Sequence, residues 1–188
     1  MVSKPVETTY FQLNNAINRP INNQIPLHKD QEALQAYFKE EINPKTRVFG
    51  SLREKIEYLI EEDYLEEAFI RQYDFSFIEQ LFEQLEAADF RFRSFMGAFK
   101  FYQQYAMKSD DRSEYLESYE DRVAFNALYM ADGNEQLAER IAKEMINQRY
   151  QPATPTFANA GKKRRGEFVS CFLIQLTDDM NSIGRGIN

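Results

Sequence analysis

Apolar residues recur every three or four positions between residues 30 and 150, which predicts a succession of amphipathic helices. Residues that favour helix N-caps precede the apolar stripes, namely Asp30, Ser51, Ser76, Ser94, Ser118 and Asn134. Pro44, Gly133 and Pro152 are expected to end helices. The helix after Ser94 is rich in Phe and Tyr on several faces, so we expect it to be the most buried. This pattern favours a mainly α fold.

The pattern changes after Pro152. Residues 168–174 form a short run of aromatic, β-branched and other apolar residues, which predicts a buried strand. Asp178 or Asp179 is then expected to cap a new helix. We therefore expect the end of the chain to be the beginning of a larger α/β domain.

Composition and charge narrow the classes of function. The chain has 188 residues, a hydrophobic content of 43% and a net charge of −7, so broad binding to nucleic acid is disfavoured. The basic run at residues 162–165 could form a small nucleic-acid patch, but we expect a solvated loop there. One cysteine and one histidine exclude an internal disulfide and disfavour a zinc site. The sequence shows neither a signal peptide nor an apolar run of about 18 residues, so we expect a cytoplasmic protein without membrane contact.

Candidate chemistry is concentrated after Pro152. Cys171 is either a buried small side chain or a redox thiol, and the second role requires a partner thiol. Ser170 and Cys171 point to opposite faces of a regular strand, so only a bend would bring both to one ligand. Thr154 and Thr156 lie in a loop that forms either an ordinary turn or a holder of phosphate oxygens. Asp178 either caps a helix or accepts hydrogen bonds from a ribose.

Taken together, these residues resemble the large (alpha) subunit of class I ribonucleotide reductase. The resemblance rests on P-A-T-P-T-F-A-N-A-G at 152–161, F-V-S-C-F-L at 168–173 and D-D-M-x-S-I at 178–183. Two further motifs, Y-F-Q-L-N-N at 10–15 and F-G-S-L-R-E-K at 49–55, resemble the bacterial class Ib form. The sequence lacks the V-x-K-R-[DN]-G motif of a complete ATP cone, in line with class Ib, in which that module is shortened.

The resemblance implies an enzyme that reduces ribonucleoside diphosphates to deoxyribonucleoside diphosphates. In this family a thiyl radical on one cysteine abstracts the 3′ hydrogen, and two further cysteines supply two electrons and become a disulfide. By motif, Cys171 is one member of that redox pair, and Ser170 lies at the substrate beside it. Thr154 and Thr156 lie in the loop that holds the diphosphate, with Thr154 the favoured contact. Asp178 falls where the allosteric effector site begins.

The resemblance also implies a domain organisation. Residues 1–88 would form a shortened N-terminal helical region, residues 89–151 the rest of the helical domain, and residues 152–188 the start of a ten-stranded α/β barrel whose first strand is 168–176. The implied partners are a dNTP or ATP effector, a radical-generating small (beta) subunit that carries a metal, a thioredoxin- or glutaredoxin-like reductant, and a second copy in a homodimer.

No metal or cofactor is expected to bind to this segment itself. The radical cysteine and the second redox cysteine do not occur in these 188 residues, so the segment alone is expected to be inactive. The alternative is a free-standing helical interaction module with a buried structural cysteine.

Overall fold

A computed structural model describes residues 9–17, 20, 24, 27–171 and 173–187, and these residues form helices and no strand. The helices are α1 (Tyr10–Ile17), α2 (His28–Tyr37), α3 (Asn43–Lys45), α4 (Leu52–Glu61), α5 (Glu67–Ile70), α6 (Phe75–Ala87), α7 (Phe95–Gln104), α8 (Tyr119–Ala131), α9 (Glu135–Ile146), α10 (Thr154–Asn159) and α11 (Met180–Ile187). A π-helical turn, Phe38–Ile42, joins α2 to α3. The mainly α expectation is confirmed. None of the helices in these ranges has the length and apolar content needed to cross a membrane.

The first long helix begins and ends differently from the prediction. Leu27 is the N-cap residue of α2, and the Asp30 carboxylate instead accepts hydrogen bonds from the Phe95 N–H at 3.2 Å. Asp30 therefore joins the start of α2 to the start of α7. Pro44 does not end the helix, because the π-helical turn precedes it and Pro44 occupies the first turn of α3, where its missing N–H is not needed.

Four of the predicted caps form as the local spacing requires. Ser51, Ser94 and Asn134 each accept a hydrogen bond from the backbone N–H three residues on, at 3.0 to 3.1 Å. Ser118 forms a full capping box with Asp121, whose carboxylate accepts the Ser118 N–H at 2.6 Å. These bonds satisfy N–H groups that have no partner inside their own helices.

The predicted cap at Ser76 is wrong. Helix α6 begins at Phe75 with Asp74 as its N-cap residue, so Ser76 lies inside the first turn. Phe75 and Phe77 both pack against the core, and this packing draws the first turn inward. Tertiary contacts therefore set this helix start, although the local sequence favours a later one.

Helix α8 lies at the centre of the core. Every side chain from Asp121 to Leu128 is buried, whereas α7, expected to be the most buried helix, buries one side alone. The small side chains of Ala124 and Ala127 let α5, α6, α9 and α10 approach α8 closely. The helix ends close to Gly133, which has a φ of +84°, as its position predicts.

The predicted strand over residues 168–174 is not observed in the described part of that range, and Phe172 lies outside the described residues. Residues 168–171 and 173–176 are irregular, and Val169, Leu173 and Ile174 are 62%, 102% and 65% exposed. A strand is held by backbone hydrogen bonds to a neighbouring strand, and the described residues supply none. The first strand of a barrel is therefore not formed here, while the helix expected after it is present as α11.

Candidate functional site

The predicted phosphate-binding residues lie on a short helix rather than in a loop. Thr154 is the first residue of α10, and Pro155 follows in the first turn, where proline favours a helix start. Thr154 is exposed, and its Oγ1 lies 3.3 Å from Tyr105 Oη. Thr156 is half-buried, and its carbonyl accepts the Ala160 N–H at 2.9 Å. Both hydroxyl groups therefore belong to an ordered element.

A buried polar cluster of α8 holds the carboxyl end of α10. Asn126 donates from Nδ2 to the Phe157 carbonyl at 3.2 Å, and Arg122 donates to the Ala160 carbonyl. The Arg122 guanidinium lies 3.3 Å from the Glu117 carboxylate, and both side chains are fully buried. Burial lowers the pKa of Arg122, and the negative charge of Glu117 opposes that shift. Since an unpaired buried charge is very costly, this pair favours a single position for α10.

None of the sequence motifs includes Arg122 or Asn126, although their spacing indicates a buried polar pair. Arg122 and Asn126 are four residues apart, so they share one face of a helix. The three residues between them are apolar, and all three are buried in the core. A charged group and an amide on a buried face require hydrogen-bond partners, and here the partners are the backbone of α10.

The residues after α10 pair with the loop between α4 and α5. Gly161 has a φ of +76°, and a Cβ atom there would lie 2.9 Å from Phe69 Cζ, so the position favours glycine. The Gly161 carbonyl accepts the Glu66 N–H at 2.8 Å, and the Lys163 N–H donates to the Tyr64 carbonyl at 3.0 Å. These bonds fix the path of the chain beyond α10.

The basic run at residues 162–165 lies in a loop in which Lys163, Arg164 and Arg165 are exposed, as expected of a solvated loop, and two of these side chains form ion pairs. Arg164 Nη1 donates to both carboxylate oxygens of Asp110 at 2.8 Å, and Arg165 pairs with Glu66. The two guanidinium groups thus hold the chain against the helical domain. The same pairing also removes the support for a nucleic-acid patch, because both charges are already neutralised by carboxylates.

Cys171 is exposed, so its interpretation as a buried structural side chain is wrong. Ser170 is also exposed, and its Oγ lies 3.9 Å from the Cys171 Sγ. The two groups come close because the segment is not a regular strand, in which neighbouring side chains would point to opposite faces. Among the described residues, no hydrogen bond joins either of them to Thr154 or Thr156.

Asp179, and not Asp178, caps α11. Its Oδ1 accepts the Ser182 N–H at 2.8 Å, and Thr177 donates from its hydroxyl to Oδ2. The hydrogen bond from Thr177 and that from Ser182 lower the pKa of Asp179. Asp178 lies beside this cap with an exposed side chain, which leaves its carboxylate accessible to solvent.

Within the part of the chain that the structure describes, no group of three or more His, Cys, Asp or Glu side chains is placed to hold a metal ion.

Comparisons with known proteins give one family for both parts of the helical domain. The family model described as "Ribonucleotide reductase N-terminal" matches residues 10–90, and "Ribonucleotide reductase, all-alpha domain" matches residues 91–165. The second match ends at Arg165, the last residue of the basic run that holds the chain against the helical domain.

The curated relatives carry the corresponding name. "Ribonucleoside-diphosphate reductase subunit alpha" of Bacillus subtilis (strain 168) is 48% identical over 179 residues, which cover 95% of this chain and 26% of the relative. The protein of the same name from Mycoplasma pneumoniae is 49% identical over 158 residues, which cover 84% of this chain and 22% of the relative. The chain thus spans about a quarter of the length of these curated relatives.

Proposed function

We propose that this chain, which belongs to the ribonucleotide reductase large-subunit family, forms part of an alpha subunit that reduces ribonucleoside diphosphates for DNA synthesis. The observation that carries the proposal is the pair of adjacent domain matches over residues 10–165, together with about half identity to two relatives named as ribonucleoside-diphosphate reductase subunit alpha. The whole enzyme would be an oxidoreductase of the cytoplasm, where thiols can be cycled by a dithiol reductant.

The finer assignment is to class Ib. It is supported by the motifs at residues 10–15 and 49–55. On this assignment, the partners are a radical-generating small (beta) subunit, a thioredoxin- or glutaredoxin-like reductant and a second copy of the alpha subunit.

Cys171 is proposed as one of the two reducing thiols. In the overall reaction the C2′–OH bond of the ribose is replaced by C2′–H, and the hydroxyl leaves as water. Two thiols supply the two electrons and become a disulfide, which an external dithiol then reduces. The exposed thiol of Cys171 supports this role, because a redox thiol must be reachable by substrate and reductant. The second thiol and the radical cysteine would be supplied outside these residues, which contain one cysteine.

The polar residues around the thiol are assigned to substrate and effector. Thr154 and Thr156 would donate hydroxyl hydrogen bonds to the diphosphate, and the exposure of Thr154 favours it as the direct contact. Ser170 would contact the substrate beside Cys171, as its distance of 3.9 Å from the thiol allows. Asp178 would accept hydrogen bonds from the nucleoside triphosphate effector, since its neighbour Asp179 already serves as the helix cap.

The proposal is tested by Cys171→Ser in the full-length alpha subunit. With the small subunit, a ribonucleoside diphosphate and a dithiol reductant present, multiple-turnover reduction should fall to background, because a serine cannot form the disulfide. Val169→Ser introduces the same hydroxyl at a nearby exposed position and should keep turnover. Normal dithiol-driven turnover in Cys171→Ser would overturn the role of Cys171.

The interaction-module alternative loses its main support. It requires a buried structural cysteine, and Cys171 is exposed. The contacts of Arg164 and Arg165 with carboxylates likewise leave no specific observation in favour of nucleic-acid binding.

A further inference from the structure

One side chain connects α10 to the segment that carries Ser170 and Cys171. The Asn159 amide oxygen accepts the Gly166 N–H at 3.1 Å, and its amide nitrogen donates to the Glu167 carbonyl at 3.2 Å. The amide thus uses both its acceptor and its donor on two consecutive residues. Among the described residues, 166–171 form no backbone–backbone hydrogen bond, so this amide is their polar link to the helical domain.

Side chains of α8 hold the backbone on both sides of Asn159. The carbonyl two residues before it, at Phe157, accepts from Asn126, and the next carbonyl after it, at Ala160, accepts from the buried Arg122. Asn159 therefore lies between two backbone groups that α8 holds in place. Sites built on supported elements keep their geometry more closely than sites on free loops.

An aromatic contact fixes the segment just beyond the amide. The Phe168 ring stacks on Tyr129 of α8, with ring centroids 5.8 Å apart and planes inclined by 24°. The Arg165 guanidinium lies 5.5 Å from the Phe168 centroid and 5.7 Å from that of Tyr129. Cys171 follows three residues after Phe168, so the Asn159 bonds and this stack together set the direction in which the thiol-bearing segment leaves the domain.

We propose that Asn159 is a positioning residue that places Cys171 relative to Thr154 without itself contacting substrate. This inference rests on the proposed function, in which Thr154 binds the diphosphate and Cys171 supplies electrons. The two groups must meet the two ends of one nucleotide, and a misplacement of about 1 Å at a reacting group can lower a rate by about a hundredfold. Asn159 is the described side chain that bonds from the threonine-bearing helix to the thiol-bearing segment.

The test uses the full-length alpha subunit with its small subunit, and compares Asn159→Ala and Asn159→Asp. Both variants should lower kcat by about tenfold, because each loses the hydrogen bond from Asn159 to the Glu167 carbonyl that helps to hold the thiol segment. KM for the ribonucleoside diphosphate should stay within about twofold, because the contacts of Asn126 and Arg122 with α10 are untouched. Asn159→Asp keeps the size and the acceptor and loses the donor to the Glu167 carbonyl, so it remains informative if Asn159→Ala does not fold.

The matched control is Asn147→Asp. Asn147 donates from Nδ2 to the Lys143 carbonyl at 2.8 Å within the end of α9, so the same chemical change there should leave kcat unaltered. Unchanged kcat in folded Asn159→Asp, or a raised KM with unchanged kcat, would overturn the positioning role. If Cys171→Ser is inactive in the same assay, that failure concerns Asn159 alone, whereas an active Cys171→Ser enzyme would remove the proposed role of Cys171 on which this inference rests.

Discussion

The ammonium group of Lys162 lies in a partly buried position, three residues after the end of α10. Its Nζ donates to the Tyr105 carbonyl at 2.7 Å. Burial lowers the pKa of its ammonium group from the ordinary value of 10.5 to about 8. Since the unfolded chain keeps the ordinary pKa, the unfolded state binds more protons than the folded state between about pH 8 and pH 10.5. The contribution of Lys162 to stability therefore increases with pH across that window.

We expect the free energy of unfolding to rise less between pH 8 and pH 10 in Lys162→Met than in the wild type. The contribution of this one group to the rise is at most about 1.4 kcal/mol per pH unit. Above about pH 10 the buried Tyr37 and Tyr102, whose pKa values burial raises, act in the opposite direction. Urea unfolding of this chain at pH 8, 9 and 10 measures the effect. Lys163→Met changes an exposed neighbour and should keep the wild-type slope. Equal slopes for wild type and Lys162→Met would contradict the prediction.

At the scale of elements, α8 acts as the support for α10. It brings Arg122 and Asn126 to the α10 backbone, and Glu117, just before the helix, compensates the buried guanidinium. Glu117 also accepts the Met107 N–H at 2.9 Å, which ties the residues after α7 into the same cluster. The position of α10 therefore depends on residues that would not contact the substrate.

Removing the positive charge from this cluster should be strongly destabilising. Arg122→Met leaves the Glu117 carboxylate buried without its cation, and we expect a loss of about 3–5 kcal/mol in the free energy of unfolding. The double variant Arg122→Met with Glu117→Gln keeps an acceptor for the Met107 N–H and should recover much of that loss. Denaturant titration of this chain measures both.

The control for this pair is the exposed contact between Arg71 and Glu67, four residues apart on one surface. Arg71→Met should change the free energy of unfolding by less than about 0.5 kcal/mol. An equal cost for Arg122→Met and Arg71→Met would show that the buried pair does not support α8 and α10.

Elements that depend on local chemistry were the predictable ones. The caps at Ser51, Ser94 and Ser118 follow from a side chain that bonds three residues ahead, which spacing alone reveals. The start of α6 and the continuation past Pro44 follow from core packing and from a π-helical turn, which local spacing does not encode. The strand over 168–174 was predicted from apolar content, but a strand also requires a neighbour.

In the candidate site, too, the features set by local sequence were predictable and those set by tertiary contacts were not. The motifs pointed to Thr154, Ser170, Cys171 and Asp178, because those residue types occur in one short stretch. The residues that support them were missed, since Arg122 meets Ala160 from 38 positions earlier in the sequence. The spacing of Arg122 and Asn126 indicates that both need partners on one helix face, but which backbone groups serve as partners is a property of the fold.

At the scale of the whole molecule, the chain consists of a packed helical body and an exposed terminal stretch. Arg164 and Arg165 hold the end of the body against Asp110 and Glu66. Beyond Phe168 most of the described large apolar side chains are exposed, including Leu173 at 102% and Met180 at 82%. The terminal stretch therefore adds little buried apolar surface to the stability of the body.

A chain that ends at Phe168 should unfold at the same temperature as the 188-residue chain, within about 2 °C. It keeps the bonds of Asn159 and the stack on Tyr129, and the residues it loses include no buried side chain among those that the structure describes. Its aggregation on storage should also be slower, because exposed apolar patches promote association. Calorimetry and light scattering measure the two effects. A large fall in the unfolding temperature would show that residues after 168 pack against the body.

The contacts that complete the helical body also determine the order in which its parts can fold during synthesis. Arg165 pairs with Glu66 across 99 positions, and Arg164 donates to the Glu62 carbonyl across 102. At about 5–20 residues per second, a ribosome needs roughly five to twenty seconds to add that much chain. The loop between α4 and α5 therefore lacks these partners for that time, and the earlier helices can pack before Arg164 and Arg165 are synthesised. The body is then completed just before the thiol-bearing segment leaves the ribosome.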